Sequence, residues 1–245
     1  MGKTRANYNW KNTGFPVVSH KTTVESITPM FPIVFMDDFL GGDVVIPASG
    51  SPESGCKWSK KIVSNGTVAK TADGINGLAA ISLSATSAKM DAALHMNDEL
   101  MLSIAQGAIF ETRLALTTLP TLLSVASFGL WGAWADGGSA YRVGFEVPAT
   151  GIVTCESDDN ATDIPAASGI TLVVNIYHIF RIDCTVQTDI KFYIDGVRVC
   201  TTTTYANAAS TANSKMQPHL GLYKASGAGL GVISVDYVKI FQDRS

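Results

Sequence analysis

Apolar and polar residues alternate with a period of two along several stretches of this chain. Phe180, Ile182 and Cys184 interleave with Ile179, Arg181 and Asp183; Phe110, Thr112, Leu114 and Leu116 interleave with Glu111 and Arg113; Tyr141, Val143, Phe145 and Val147 interleave with Arg142 and Glu146. Only an extended strand turns that period into one dry face and one wetter face. Asp195-Gly196, set between Ile190-Phe192-Ile194 and Val197-Val199, is the signature of a tight two-residue hairpin whose turn positions need positive φ. The same reading predicts strands over 33–39, from Trp58, over 78–83, near Ala92 and Leu94, and over 232–241, with turns at 64–67 and at Asn76-Gly77. No fixed-period repeat and no amphipathic helix is visible, apart from one short turn at 97–100.

Composition fits one large β domain. Of 245 residues, 46% are hydrophobic and 16% charged, with 22 glycines, which suits a buried sheet protein rich in turns and excludes global disorder. The pattern divides the chain into an arm, 1–33, and a compact body, 34–245. The arm mixes Asn, Lys and Thr with isolated aromatics and is broken by Pro16, Pro29 and Pro32. Arg5, Tyr8, Trp10, Lys11, Phe15 and Phe31 are its candidate partner-binding residues, because such aromatics suit a contact better than a solvated tail; packing across its own sheet is the alternative. Lys3, Arg5, Lys11 and Lys21 against Glu25 alone make the arm basic, which favours an acidic partner.

Charge and motifs narrow the chemistry. A net charge of −3 gives no electrostatic case for nucleic acid or an anionic membrane as partner. The uncharged run 114–135 is interrupted by Pro120, Gly129 and Gly132 and reads as strand, loop and strand rather than a membrane span. No apolar segment follows Met1, so no signal peptide is seen and cytosolic synthesis is expected. Cys56, Cys155, Cys184 and Cys200 lack metal-ligand spacing. A tight turn near Val186-Gln187 would put Ile182 opposite Lys191, leaving Cys184 and Cys200 too far apart to bridge, so four free thiols are expected. Neither a nucleophile elbow nor a phosphate-binding loop is present. The acidic stretch 156–163 reads as a solvated turn, with no metal and no cofactor expected. Trp131, Trp134 and Tyr141 are candidate carbohydrate-binding residues, since an aromatic face suits a sugar ring. Leu119, Leu122 and Leu123 sit in an expected connection and are candidate oligomer contacts.

The order Asp37-Asp38-Phe39, Phe110-Glu111-Thr112-Arg113, Tyr141-Arg142-Val143-Gly144-Phe145, His178-x-Phe180-Arg181-Ile182, Phe192-Tyr193-Ile194-Asp195-Gly196 and Val235-Asp236-Tyr237-Val238 resembles the concanavalin A-like lectins and glucanases, including laminin-G-like jelly rolls. The resemblance covers about residues 34–243 and implies an all-β, antiparallel two-sheet jelly-roll sandwich carrying an extended N-terminal arm. Glucanases of this group carry a Glu-x-Asp-x-x-Glu strand, and nothing here matches it: Glu111 precedes Thr112-Arg113, and Glu146 precedes Val147-Pro148. No catalytic residue is therefore assigned, and the expectation is a protein that is not an enzyme. Similar scaffolds occur in tailed-phage structural proteins. By that analogy the expected role is a capsid decoration or cement protein of a virion, made in the host cytoplasm, anchored by the arm to the major capsid protein or another shell protein, and homo-oligomeric, with a trimer suiting a lattice site. A carbohydrate-binding module is the alternative, and a divergent glycoside hydrolase the second.

Overall fold

The computed structural model describes residues 7–9, 17–19, 33–40, 46, 58–135, 138–207 and 214–243. Strands dominate. β1 (Asn7–Asn9) and β2 (Val17–Ser19) pair with each other as a two-stranded antiparallel ribbon. Then follow β3 (Ile33–Asp37), β4 (Ser59–Val63), β5 (Thr67–Lys70), β6 (Ala79–Leu83), β7 (Met90–His95), β8 (Leu102–Ser103), β9 (Ile109–Thr118) and β10 (Ser124–Trp131). The chain continues through β11 (Arg142–Val147), β12 (Ile152–Asp158), β13 (Asp163–Thr171), β14 (His178–Asp183), β15 (Lys191–Ile194), β16 (Val197–Val199), β17 (Lys215–Lys224) and β18 (Gly231–Gln242). A single 3-10 turn, Ile104–Gln106, is the only helical element among the described residues.

The sixteen strands from β3 onward form two antiparallel sheets of eight. The front sheet runs β13-β12-β11-β10-β17-β7-β4, with β8 on β17; the back sheet runs β16-β15-β14-β9-β18-β6-β5, with β3 on β18. Alternation builds the layer between them. Phe128, Phe145, Phe180 and Phe192 turn inward from β10, β11, β14 and β15 and meet edge to face or stacked, with centroids 4.7–5.6 Å apart. At the Asp195-Gly196 hairpin both residues have positive φ, 51° and 78°, as a primed turn requires.

Two sequence expectations change, the register after β14 and the loop at 156–163. Asp183, not Ile182, lies opposite Lys191, because β14 and β15 are joined by the loop 184–190 instead of a two-residue turn. That register keeps Ile182 opposite Phe192, both buried, whereas a one-residue slip would expose one of them. Cys155, Cys184 and Cys200 are free thiols, and Cys56 lies outside the described residues. The stretch 156–163 is not one loop: Glu156 and Asp158 belong to β12, Asp163 to β13, and the turn lies between. Of the arm residues, Tyr8 falls in β1, whereas Arg5, Trp10, Lys11, Phe15 and Phe31 lie outside the described residues.

Candidate functional site

Pairing register arranges the outward side of the front sheet into rows. One row crosses Ala93 of β7, Gly221 of β17, Ser127 of β10 and Glu146 of β11. The next carries His219, Gly129, Gly144 and Glu156, followed by Gln217, Trp131, Arg142 and Asp158; on the other side lie Asp91, Tyr223 and Val125. A row of small residues between rows of large ones leaves a depression. Asp91, Val125, Ser127, Glu146, His219 and Tyr223 line it, and Trp131, Trp134, Ala135 and Gly138 wall one side. It is a shallow depression open to solvent, with an enclosed cavity volume of only about 30 Å³.

Trp131 gives the recess its wall. Its six-membered ring lies over Gly144 and Gly129, where an added Cβ would come within 2.2 Å and 2.8 Å of it, and it stacks on His219 with centroids 4.8 Å apart. With 3% exposure it is a packed wall, not an open platform. Trp134 is half-buried and carries the Lys61 ammonium 4.8 Å above its ring. Tyr141 is half-buried and folds over Gly132. The three candidate aromatics thus lie at one end of the front sheet, but only Trp131 and Trp134 reach the recess.

A chain of hydrogen bonds positions that wall. The Gln217 amide accepts from the Met96 and Asp98 backbone N–H groups, both at 3.0 Å, and donates to Asp98 Oδ1 and the Gly132 carbonyl. Asp98 Oδ1 also accepts from the Trp134 N–H at 2.7 Å. Ser127 Oγ lies 3.3 Å from His219 Nε2 on the floor. Burial pulls the His219 pKa down to about 3, helped by His95 nearby, so the imidazole stays neutral at physiological pH. Burial likewise lowers His95, against the opposing pull of Asp98.

Beyond the recess, Glu156, Asp158 and Asp163 converge, their nearest oxygens within 4.8 Å of one another. Arg142 already supplies the positive charge there, pairing with Glu156 and, at 3.1 Å, with Asp158. Burial, with Glu146 and Asp163, pushes the Glu156 carboxyl up against the pull of Arg142. Burial alone would lower the Arg142 pKa, but the bond to Glu156 raises it. No pair of carboxyls at glycosidase spacing faces the recess among the described residues: Asp91 and Glu146 sit on β7 and β11, three strand spacings apart, roughly 14 Å.

The outer side of the back sheet carries a larger, shallower groove lined by Glu111, Ile179, Arg181, Tyr193, Asp195 and Gly196. Its acids are engaged: Asp195 accepts from the Ile179 N–H at 2.8 Å and pairs with His178 at 2.6 Å, and Glu111 accepts from the Tyr237 hydroxyl at 3.0 Å. His178 is half-buried at the start of β14. Leu119 is partly buried against the core, whereas Leu122 and Leu123 are 67% and 65% exposed.

Asp91, Ser127, His219 and Tyr223 were not picked out as a group in the sequence. The signal was present: Gln217, His219, Gly221 and Tyr223 alternate with Met216, Pro218, Leu220 and Leu222. Pro218 masks it, because proline argues against a central strand. Here it falls between the pairing of β17 with β8, at Lys215 and Met216, and its pairing with β7, which starts at Leu220.

No protein-family model matches the sequence, and a search of curated proteins returns no match. Solved structures do match. A protein of unknown function from Shewanella oneidensis MR-1 superposes with a TM-score of 0.59 at 13% identity, covering 85% of both chains. An endo-β-1,4-glucuronan lyase from the fungus Trichoderma reesei gives 0.53 at 12% identity, covering 73% of this chain and 87% of that one. A Bacillus licheniformis β-glucanase gives 0.53 at 16% identity, covering 86% and 98%. The chain therefore has the concanavalin A-like jelly-roll fold of the β-glucanase type. The expectation that the protein is not an enzyme is overturned, since several of the structures sharing this fold are glucanases or a lyase. A missing Glu-x-Asp-x-x-Glu strand excludes one arrangement of carboxyls and not catalysis as such.

Proposed function

We propose that the protein is a carbohydrate-binding jelly roll that takes a sugar residue into the front-sheet recess. The observation that carries this reading is the convergence of Asp91, Ser127, Glu146 and Tyr223 on one small-floored depression walled by Trp131 and Trp134. Carboxylates and a hydroxyl suit the hydroxyl groups of a sugar, and the aromatic wall suits its apolar edge. Two carboxyl side chains in the lining disfavour a uronate or sialate, so the fitting ligand is neutral. The β-glucanase among the structures that share the fold adds support at the level of ligand class.

The test is titration calorimetry against a panel of soluble neutral glycans, with Glu146→Gln, Tyr223→Ala and Ser127→Leu as variants, the last filling the floor. Binding at least tenfold weaker in each variant, with unchanged unfolding curves, supports the site. A ligand bound equally well by all three removes it. Cleavage of the bound glycan is the second reading, favoured by the enzymes that share the fold and by Glu146 opening beside Ser127 and a neutral histidine. New reducing ends released by the native chain and lost in Glu146→Gln would establish it.

A further inference from the structure

The sandwich brings together two cysteines that lie on different sheets. Cys155 is fully buried on the inward side of β12, next to the front sheet's margin. Cys200 follows β16, the marginal strand of the back sheet, and is half-buried. The Cys200 Sγ lies 3.5 Å from the Ala166 carbonyl oxygen, and Ala166 is the cross-strand partner of Cys155. Tyr205, 1% exposed, closes over the pair and directs its hydroxyl to the Cys155 carbonyl at 3.4 Å. Cys184, buried at the end of β14, takes no part in this contact.

We propose that Cys155 and Cys200 form an oxidisable pair that a small disulfide such as oxidised glutathione converts into a covalent link between the two sheets. Cys200, the accessible member, attacks one sulfur of the glutathione disulfide, forming a mixed disulfide and expelling one glutathione thiolate, which takes up the proton. Cys155 then attacks the Cys200 sulfur, and the second glutathione leaves with the second proton. Two protein thiols are oxidised by two electrons and one glutathione disulfide is reduced to two thiols. Burial pushes the Cys155 thiol up, which makes the second step slow and speeds it as pH rises.

The link would join the β12–β13 margin of one sheet to the β15–β16 margin of the other and close the chain between residues 155 and 200. A loop of that size restricts the unfolded chain strongly, and the expected rise in melting temperature is roughly 5–15 °C. The experiment incubates the folded full chain with oxidised glutathione and digests it without reductant for peptide mass mapping. A Cys155–Cys200 peptide lacking two hydrogens, the rise in melting temperature, and loss of both in Cys200→Ser and in Cys155→Ala support the pair. Glutathione that remains on Cys200, a link to Cys56 or Cys184, or a link that appears only in denaturant would overturn it.

Discussion

Lys224 is the most demanding single residue in the front sheet. It is 0% exposed, and its ammonium donates to the carbonyl oxygens of Ser84, Thr86 and Gly229 at 2.7, 2.9 and 3.0 Å. These three oxygens belong to two separate turns, so one side chain ties both to β17. Lys224→Met keeps the length of the side chain and orphans the carbonyls; a loss of about 2–4 kcal/mol is expected, measured by urea unfolding. His219 makes stability depend on pH. Its folded pKa, about 3, lies below the unfolded value of 6.5, so the unfolded chain takes up the proton first. The neutral ring's contribution is complete above pH 6.5 and declines by roughly 1.4 kcal/mol per pH unit below it, until the folded pKa is reached. Urea melts at pH 7 and pH 5 should show that slope, and His219→Gln should flatten it.

At the scale of elements, the glycines of β10 and β11 matter because Trp131 lies across them. Gly144→Ala would drive a methyl into the indole, within 2.2 Å of its ring carbons, and the wall of the recess would shift. A destabilisation of about 1–3 kcal/mol is expected, together with altered tryptophan fluorescence, which reports the displacement directly. The legible strands were those with clean alternation and ordinary turns, such as β9, β11, β14 and the β15–β16 hairpin. β17 was missed because of Pro218, and β12 and β13 because their acids looked like a loop. On β12 the Glu156 carboxylate is buried against Arg142, a pairing across strands that no local pattern reveals. The recess was illegible for the same reason: its residues come from β7, β10, β11 and β17, and only register sets Ser127 beside Glu146 and Gly221.

At the scale of the whole molecule, one end of the sandwich is apolar and exposed. The loop bearing Leu122 and Leu123 shares that end with the turn at Gly151, which meets Leu119, and with Val173, Val174 and Ile176, exposed by 60%, 42% and 50%. The Leu172 N–H donates to Gly151, and Asn175 to Leu116, holding these loops together. The expected homo-oligomer is tested here: Leu122→Ser with Leu123→Ser should reduce the sedimentation coefficient of an assembled species, and an unchanged value would locate any assembly elsewhere. The arm needs a separate measurement. Removing residues 1–32 spares β3, which pairs with β18, and glycan affinity should remain as in the full chain. Loss of association with a shell protein in that truncation would support anchoring.

The placement of β17 and β18 has a consequence for biosynthesis. These neighbours form the spine of the two layers, β17 between β10 and β7, β18 between β9 and β6, yet both follow all their partners in the chain. While a ribosome is still translating, β10 and β7 in one layer and β9 and β6 in the other wait with edges that only β17 and β18 fill, and such open edges invite wrong pairing until both strands emerge.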